Sequence, residues 1–353
     1  MILIDAVYVN TGGGKALLQE LLSFLRGKGK FTLLCDPRLE GVDTAGYDVV
    51  IIAPRELARG NFYRRHRHLL HRVFCFGNVP PPFRLEAEVA VYFHNVLLCS
   101  EFKNATFREK IGGILKMAYI RWMRKNADVF LVQTKLVKSA LRHDLGSGVQ
   151  ICELPFYPNC RDGLASREEA EGKWQRYAYV SNGYPHKNHA RLIAAWEMLA
   201  KNKIYPELHL TLYGEWGSLY EQIKKVQANG ARITNHGFTD SRRLYEMCGY
   251  QIYPSQIESF GLGLVEAAEA GCAVIASDLP YVHAAIVPFS VFDPRTSESI
   301  YQAVVATHGM SAPPSKIVAA NEISRVVHWL SSESNIKGHV PCEALINKTG
   351  PLI

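Results

Sequence analysis

Two carboxylates, Glu258 and Glu266, stand eight positions apart in YPSQIESFGLGLVEAAEAGCAVIASDLP, the segment from Tyr253 to Pro280. Between them lies Ser259-Phe260-Gly261-Leu262-Gly263, and the apolar run Cys272 to Ala276 follows. This order predicts a loop carrying one acid, a glycine-softened helix start, a helix carrying the second acid, and a buried strand. The first N–H groups of a helix lack intrahelical partners and attract anions. Carboxylates bind hydroxyls through charge-assisted hydrogen bonds. A ligand with both hydroxyls and phosphates, such as a nucleotide-sugar, suits the combination. Without the intervening turn, two acids at this spacing would read as ordinary solvated charges.

Other segments place polar groups at predicted strand ends. Ser181-Asn182-Gly183-Tyr184-Pro185-His186-Lys187-Asn188 follows a strand and opens a helix. Lys187 carries a fixed charge there, whereas His186 adds charge only when protonated, with an ordinary pKa of about 6.5. Gly12-Gly13-Gly14 lies just after the first strand, where glycine lets backbone approach a phosphate closely. A plain strand-to-helix turn is the alternative. The triple glycine is not a full G-x-G-x-x-G, and Lys15 is not followed by Ser or Thr, which argues against a P-loop. His94-Asn95 ends the predicted strand Val89 to Phe93, on the ligand side of a parallel sheet; a structural histidine is the alternative. Gln133 and Thr134 end the next strand, where they would line the acceptor side. Tyr213-Gly214 and His236-Gly237-Phe238 end two more, and either could be an ordinary turn.

In this order, these segments resemble the retaining glycosyltransferases of family 4 (glycosyl transferases group 1), which have the GT-B fold and an E-x7-E signature. The resemblance spans roughly residues 1–305 and is densest from Tyr177 to Pro294. It implies that Glu266 holds ribose, Glu258 contacts the transferred sugar, and Ser259, Phe260, Gly261 and Leu262 line sugar and phosphate. Lys187 matches the family's diphosphate-neutralising lysine. The family's arginine is missing: Asn182 and His186 occupy places where it commonly stands. Gly12, Gly13 and Gly14 would face phosphate, His94 the reacting sugar, and Gly214, Gly237 and Phe238 the nucleotide base. The implied reaction moves a hexose from a nucleotide-diphosphate sugar to a saccharide or lipid-linked saccharide. It keeps the anomeric configuration, by front-face attack without a dedicated base, with Glu258, His94 and Lys187 as catalytic residues. The cast is that of bacterial surface polysaccharide assembly (lipopolysaccharide O-antigen or exopolysaccharide). No D-x-D stands in the chain, and Lys187 with helix N-termini can replace a metal, so no metal or separate cofactor is expected.

The elements that must position these residues form two series. Ile2 to Val9, Phe31 to Cys35, Val49 to Ile52, Val73 to Phe76, Val89 to Phe93 and Val129 to Val132 read as buried strands. Lys15 to Arg26, Ala105 to Asn126 and Lys135 to His143 read as helices between them. The stretch Leu154 to Gly172, with Pro155, Pro158 and a run of charges, reads as a linker. A second strand–helix series runs from Tyr177 to Ala276. The expectation is α/β: two Rossmann-like domains facing across a cleft, an acceptor-binding domain at 1–157 and a donor-binding domain at 173–353. After Ala306 the pattern weakens, and Ile346 to Ile353 reads as disordered.

A chain of 353 residues exceeds one core's usual size. Its 48% apolar and 21% charged content is ordinary for a globular protein. No apolar run reaches membrane-span length, and the start MILIDAVYVN reads as a strand rather than a signal peptide. Eight cysteines without a C-x-x-C pair read as reduced, buried residues of a cytoplasmic protein. Residues 1–150 hold 22 Lys+Arg against 13 Asp+Glu, a net of +9, while the remainder nets −2. A basic first half suggests an anionic partner such as the inner face of the cytoplasmic membrane. Arg64, Arg65, Arg67 and Arg72 cluster with histidines. The helix Ala105 to Asn126 carries Arg108, Lys110, Lys116, Arg121, Arg124 and Lys125 around a stripe of Phe107, Ile111, Ile114, Leu115, Ala118 and Trp122. That helix either lies on anionic lipid or packs its stripe into the core. The rival functions are an epimerase or hydrolase of nucleotide-sugars, a dinucleotide-dependent oxidoreductase, a non-catalytic nucleotide-sugar sensor, and a nucleic-acid binder. No nucleic-acid module is recognisable, so nucleic acid is not an expected partner.

Overall fold

The computed structural model describes residues 1–9, 12–102, 107–159 and 172–332, with side chains described outside 102 and 107–111. The chain divides into two units. Unit 1 takes in Met1–Pro158 and the segment from Ala320 onward, and unit 2 is Asn159–Ala319.

Unit 1 runs β1 (Ile2–Asp5), α1 (Gly12–Leu25), β2 (Phe31–Cys35), β3 (Asp48–Ile51), α2 (Glu56–His66), β4 (Arg72–Cys75), β5 (Glu88–Phe93), α3 (Phe107–Met123), β6 (Val129–Val132), α4 (Lys135–Leu145) and β7 (Ile151–Glu153). Its seven strands are parallel in the order β3-β2-β1-β4-β5-β6-β7. β2, β4 and β6 are buried at every position, as a sheet covered on both faces requires. Helix α1 packs Leu17, Leu18, Leu21, Leu22 and Leu25 inward, the spacing visible in the sequence. The order reverses between β1 and β4, so the carboxyl ends of these strands border the crevice where such sheets bind ligands.

Unit 2 runs β8 (Arg176–Tyr179), α5 (His189–Lys201), β9 (Glu207–Leu210), α6 (Gly217–Ala228), β10 (Arg232–Asn235), α7 (Ser241–Met247), β11 (Tyr250–Tyr253), α8 (Leu262–Glu269), β12 (Ala273–Ser277), α9 (Pro280–Ala285), β13 (Ile286–Val287), β14 (Ser290–Phe292), α10 (Ser297–Thr307) and β15 (Lys316–Ile317). The main sheet is parallel in the order β10-β9-β8-β11-β12-β14. Its reversal falls between β8 and β11. β13 and β15 form a small antiparallel pair.

The expected C-terminal boundary is corrected, because the chain returns to unit 1 through α11 (Ile323–Ser331). The apparently unpatterned tail holds an amphipathic helix that buries Ile323, Val326, Val327, Trp329 and Leu330. Arg72 holds it there: its Nη1 donates to the carbonyls of Trp329 and Ser332, and its guanidinium lies 5.3 Å from the Trp329 ring centroid. Arg72 is therefore buried and leaves the expected surface patch. The expected linker begins inside unit 1, where Leu154 and Phe156 are buried; residues 160–171 lie outside the described part, as do 346–353.

Two further expectations change. Helix α3 turns Met117, Ile120 and Met123 inward and leaves Ile114, Leu115, Ala118 and Trp122 exposed. The side chains of Phe107 and Ile111 lie outside the described residues. Cys35, Cys75, Cys99, Cys248 and Cys272 are buried and free, but Cys152 is disulfide-bonded, so the cysteines are not uniformly reduced. Among the described residues, no helix is long and apolar enough to cross a membrane.

Candidate functional site

In unit 2, β8 and β11 lie side by side at the reversal, and their outgoing loops carry the site. Lys187 Nζ donates to Glu258 Oε1 at 2.5 Å, and the Tyr253 hydroxyl donates to the same oxygen at 3.1 Å. The two charged side chains are only 16% and 13% exposed. Burial alone would raise the Glu258 carboxyl, but the neighbouring Lys187 charge and hydrogen bonds outweigh it and hold the carboxyl below its ordinary value.

The two loops are stitched together by backbone and buried hydroxyls. Gln256 N–H donates to the His186 carbonyl at 2.8 Å, and Asn188 Nδ2 donates to the carbonyls of Pro254 and Pro294. The Tyr179 hydroxyl donates to the Lys187 carbonyl and pairs with Ser255 Oγ, while Tyr281 donates to the Ser255 carbonyl. Asn188 adopts φ 65°, a left-handed conformation that asparagine tolerates, and it lets the chain turn from Lys187 straight into α5. Of these supports, Tyr179 and Tyr281 carry no motif signal in the sequence. The signal for the others was present in the Tyr253-Pro254-Ser255 lead-in and in Asn188.

Gly261, at φ 85°, turns the chain into α8, where the N–H groups of the first residues, Leu262 and Gly263, have no intrahelical acceptor. The Phe260 ring is buried. Ser259 and Leu262 are half-buried. Glu266 lies one turn further along, with the Tyr245 hydroxyl 3.4 Å from Oε2, and burial raises its carboxyl above the ordinary value.

An aromatic group gathers beside this pair. Tyr184 stacks on His186 at 5.9 Å and meets Trp216 edge-on at 5.2 Å. Gly183 must be glycine: a Cβ there would sit 2.5 Å from the Trp216 ring. Asn182 Oδ1 accepts from the Tyr184 N–H at 3.4 Å, so this side chain shapes the turn. Gly214 and Gly237 take φ 93° and 66° after β9 and β10. Phe238, 84% exposed, meets Tyr213 edge-on.

Unit 1 brings Gly12–Gly14 and His94 together. The three glycines form the first turn of α1 rather than a free loop, and a Cβ on Gly14 would lie 2.8 Å from His94 Cε1. The His94 N–H donates to Asn78 Oδ1 at 2.8 Å, and ring Nε2 lies 3.0 Å from the Phe76 carbonyl. That carbonyl only accepts, so Nε2 carries the proton and Nδ1 is the basic nitrogen. Burial pushes the ring down to about 4, keeping it neutral at ordinary pH. Gln133 and Thr134 are buried, and the Thr134 hydroxyl caps α4, so neither lines an open acceptor surface. Among the described residues, no three His, Cys, Asp or Glu side chains converge as a metal site.

The family described as Glycosyl transferases group 1 matches residues 165–305, the span that holds Lys187, Glu258 and Glu266. That span is similar to a glycosyltransferase group 1 domain. The UDP-N-acetylglucosamine–peptide N-acetylglucosaminyltransferase GtfA subunit of Streptococcus agalactiae is 41% identical over 86 residues, 23% of this chain. The match spans only 16% of that relative's length. Sucrose-phosphate synthase from Thermosynechococcus elongatus superposes with a TM-score of 0.63 at 17% identity, covering 94% of this chain and 93% of that one. Anabaena HepE, solved with UDP and glucose, gives 0.65 at 14% identity, covering 93% and 94%. At these identities the likeness establishes the fold: α/β with two Rossmann-like domains, the GT-B architecture.

Proposed function

We propose that the protein is a retaining glycosyltransferase that moves a hexose from a UDP-sugar to a saccharide or lipid-linked saccharide acceptor in bacterial surface polysaccharide assembly. The observation that carries this reading is the Lys187–Glu258 pair at the strand reversal, next to the α8 N-terminus. UDP is favoured as donor nucleotide because it stands in the names of the Streptococcus relative and the Anabaena complex.

In this reading Lys187 and the Leu262 and Gly263 N–H groups receive the diphosphate. Glu258 holds the sugar hydroxyls and Glu266 those of the ribose. Catalysis rests on positioning and on stabilising the charge of the departing diphosphate. Leaving-group charge met by a lysine and backbone amides needs no resident metal. The acceptor proton passes to the departing phosphate oxygen during front-face attack. His94, neutral with Nδ1 unprotonated, accepts a hydroxyl hydrogen bond rather than acting as a strong base.

The test follows UDP release from UDP-glucose and UDP-N-acetylglucosamine, with the product's anomeric configuration read by NMR. Glu258→Ala should lower turnover about 100-fold or more while UDP still binds. Unchanged turnover removes the assignment, and UDP release without a glycosylated product would favour a hydrolase.

A membrane contact is favoured by one observation, the exposed face of α3. Leu115 is 65% and Trp122 73% exposed, flanked by Lys116, Arg121 and Lys125. Aromatic and aliphatic side chains beside lysine and arginine suit an anionic bilayer surface. The chain should co-sediment with phosphatidylglycerol vesicles and not with phosphatidylcholine ones, and Trp122→Ala should weaken that binding severalfold.

A further inference from the structure

Unit 1 has its own strand reversal, and the residue that leaves it is strained. Tyr8, three residues past β1, has φ 81°, a conformation unfavourable for a non-glycine residue that tends to persist at functional sites. It is held at both ends. Its N–H donates to Asp36 Oδ2 at 3.0 Å, and its hydroxyl donates to Glu56 Oε1 at 2.6 Å. The Tyr119 hydroxyl of α3 donates to the other oxygen, Glu56 Oε2, at 2.7 Å. The segment after β1, α2 and α3 thus meet at one carboxylate. Arg59 Nη1 stands 3.5 Å from Oε2, but its guanidinium is engaged by Asp5 and by the carbonyls of Val79 and Pro80.

The group is not sealed. The Glu56 side chain keeps 36% of its exposure, and both tyrosines are half-buried. Both phenols spend their hydrogens on Glu56, so each phenol oxygen is left with acceptor capacity only, and the carboxylate has lone pairs left over as well. The exposed chemistry of Glu56 and the two phenol oxygens is that of acceptors, with the Arg59 charge 3.5 Å from the carboxylate. Acceptors without free donors take a ligand rich in O–H groups and offer nothing to a phosphate or carboxylate oxygen.

We propose that Tyr8, Glu56 and Tyr119 form a saccharide-binding subsite at the β1–β4 reversal of unit 1, holding hydroxyls of the acceptor sugar. The inference rests on the reading of unit 1 as the acceptor half of a glycosyltransferase. Glu56 then binds sugar directly, and Asp36 is a positioning residue that keeps Tyr8 in its strained conformation.

The test uses the full chain labelled with 3-fluorotyrosine, with the Tyr8 and Tyr119 fluorine resonances assigned through Tyr8→Phe and Tyr119→Phe. Octyl glycosides of glucose, galactose, mannose and N-acetylglucosamine are titrated below their micelle concentrations. At least one should move both resonances along a single saturable isotherm, and octanol and inorganic phosphate should move neither. Glu56→Gln should weaken that isotherm about tenfold, since a charged acceptor becomes neutral. If Glu56→Gln disturbs the fold, Tyr119→Phe replaces it and should weaken binding severalfold while Tyr8 still responds. Silence of both resonances to all four glycosides overturns the proposal, as does undiminished binding by the variants. UDP added to the same samples is read on Tyr184 and Tyr213 of unit 2. Response there with silence in unit 1 defeats the subsite alone, whereas silence in unit 2 defeats the donor reading.

Discussion

Replacing Lys187 with Met isolates what the Lys187–Glu258 pair contributes. At 2.5 Å and an effective dielectric of about 20, the attraction is on the order of 6–7 kcal/mol. Withdrawing each ion from water opposes this by several kcal/mol, so the intact pair nets little. Deleting one partner is different, because the survivor keeps its desolvation and loses its compensation. For fully buried pairs that loss is about 3–5 kcal/mol. With 16% and 13% exposure remaining, about 3 kcal/mol is the expected loss for Lys187→Met near neutral pH. The loss fades with acid. In the native protein Glu258 is held below its ordinary value, so its contribution is present above about pH 4.5 and lost as pH falls through the folded value. In Lys187→Met burial is the dominant remaining influence, the carboxyl moves up, and the deficit shrinks as Glu258 takes a proton.

Stability should therefore be measured by urea titration with hydrogen exchange on peptides from β8 and β11, for the single variants and for Lys187→Met with Glu258→Gln. The double variant should recover about 2 kcal/mol of the loss, since the new amide oxygen would still accept from Tyr253 without a charge to desolvate. Strictly additive losses, unaltered between about pH 7.5 and about pH 4.5, would refute the pairing. The same Lys187→Met protein should bind UDP much more weakly while uridine binding barely changes.

Acid should weaken both units through buried neutral histidines. Burial pushes His94 down to about 4 and His189 down to about 3, the latter with both ring nitrogens unpartnered. The unfolded chain takes up these protons below about pH 6.5 and the fold does not, so each ring lowers stability by about 2 kcal/mol at about pH 5. His189→Phe should flatten that slope in unit 2; an unchanged slope by urea titration would contradict the assignment. Gly77→Ala would place a Cβ 2.1 Å from the Val7 carbonyl oxygen. Backbone cannot yield as a side chain can, so unit 1 should lose about 3 kcal/mol in urea titrations. Arg72→Met should leave Glu88 and the last carbonyls of α11 unpaired. Faster amide exchange confined to α11 and a loss of about 3 kcal/mol are the expected readouts.

The parallel strands were legible because a doubly covered sheet needs continuous apolar runs, and Phe31–Cys35 is predicted to the residue. The loop–helix–strand order around Glu258 and Glu266 was legible for a similar reason, since Gly261 marks the turn. Helix α2 was not, because its inward face carries Arg59, whose charge is neutralised by Asp5, far away in sequence. Helix α11 was passed over because its Ile323, Val326, Val327 and Leu330 spacing is short and isolated, and its anchor Arg72 lies 257 residues away. On α3 the apolar stripe was visible but its direction was not: which face is buried depends on neighbours that local periodicity cannot name.

The two units share a strand order, so the fold alone would assign a nucleotide to either reversal. Loop chemistry separates them. In unit 2 the reversal presents a lysine and the N-terminus of α8. In unit 1 the acid that a dinucleotide site would turn toward ribose, at the end of its second strand, is Asp36. Asp36 is already occupied: both its oxygens accept from the Arg38 guanidinium, and Oδ2 also accepts from the Tyr8 N–H. Its carboxyl is held below the ordinary value chiefly by Arg38, so it remains a charged clamp. The Gly12–Gly14 turn thus lies beside a ribose position that is filled, which counts against an oxidoreductase. It leaves the acceptor oxygens of Tyr8, Glu56 and Tyr119 to select a neutral, hydroxyl-rich ligand. A single observation would reverse this allocation: UDP protecting Tyr8 and Asp36 from exchange while leaving Lys187 and Glu258 untouched.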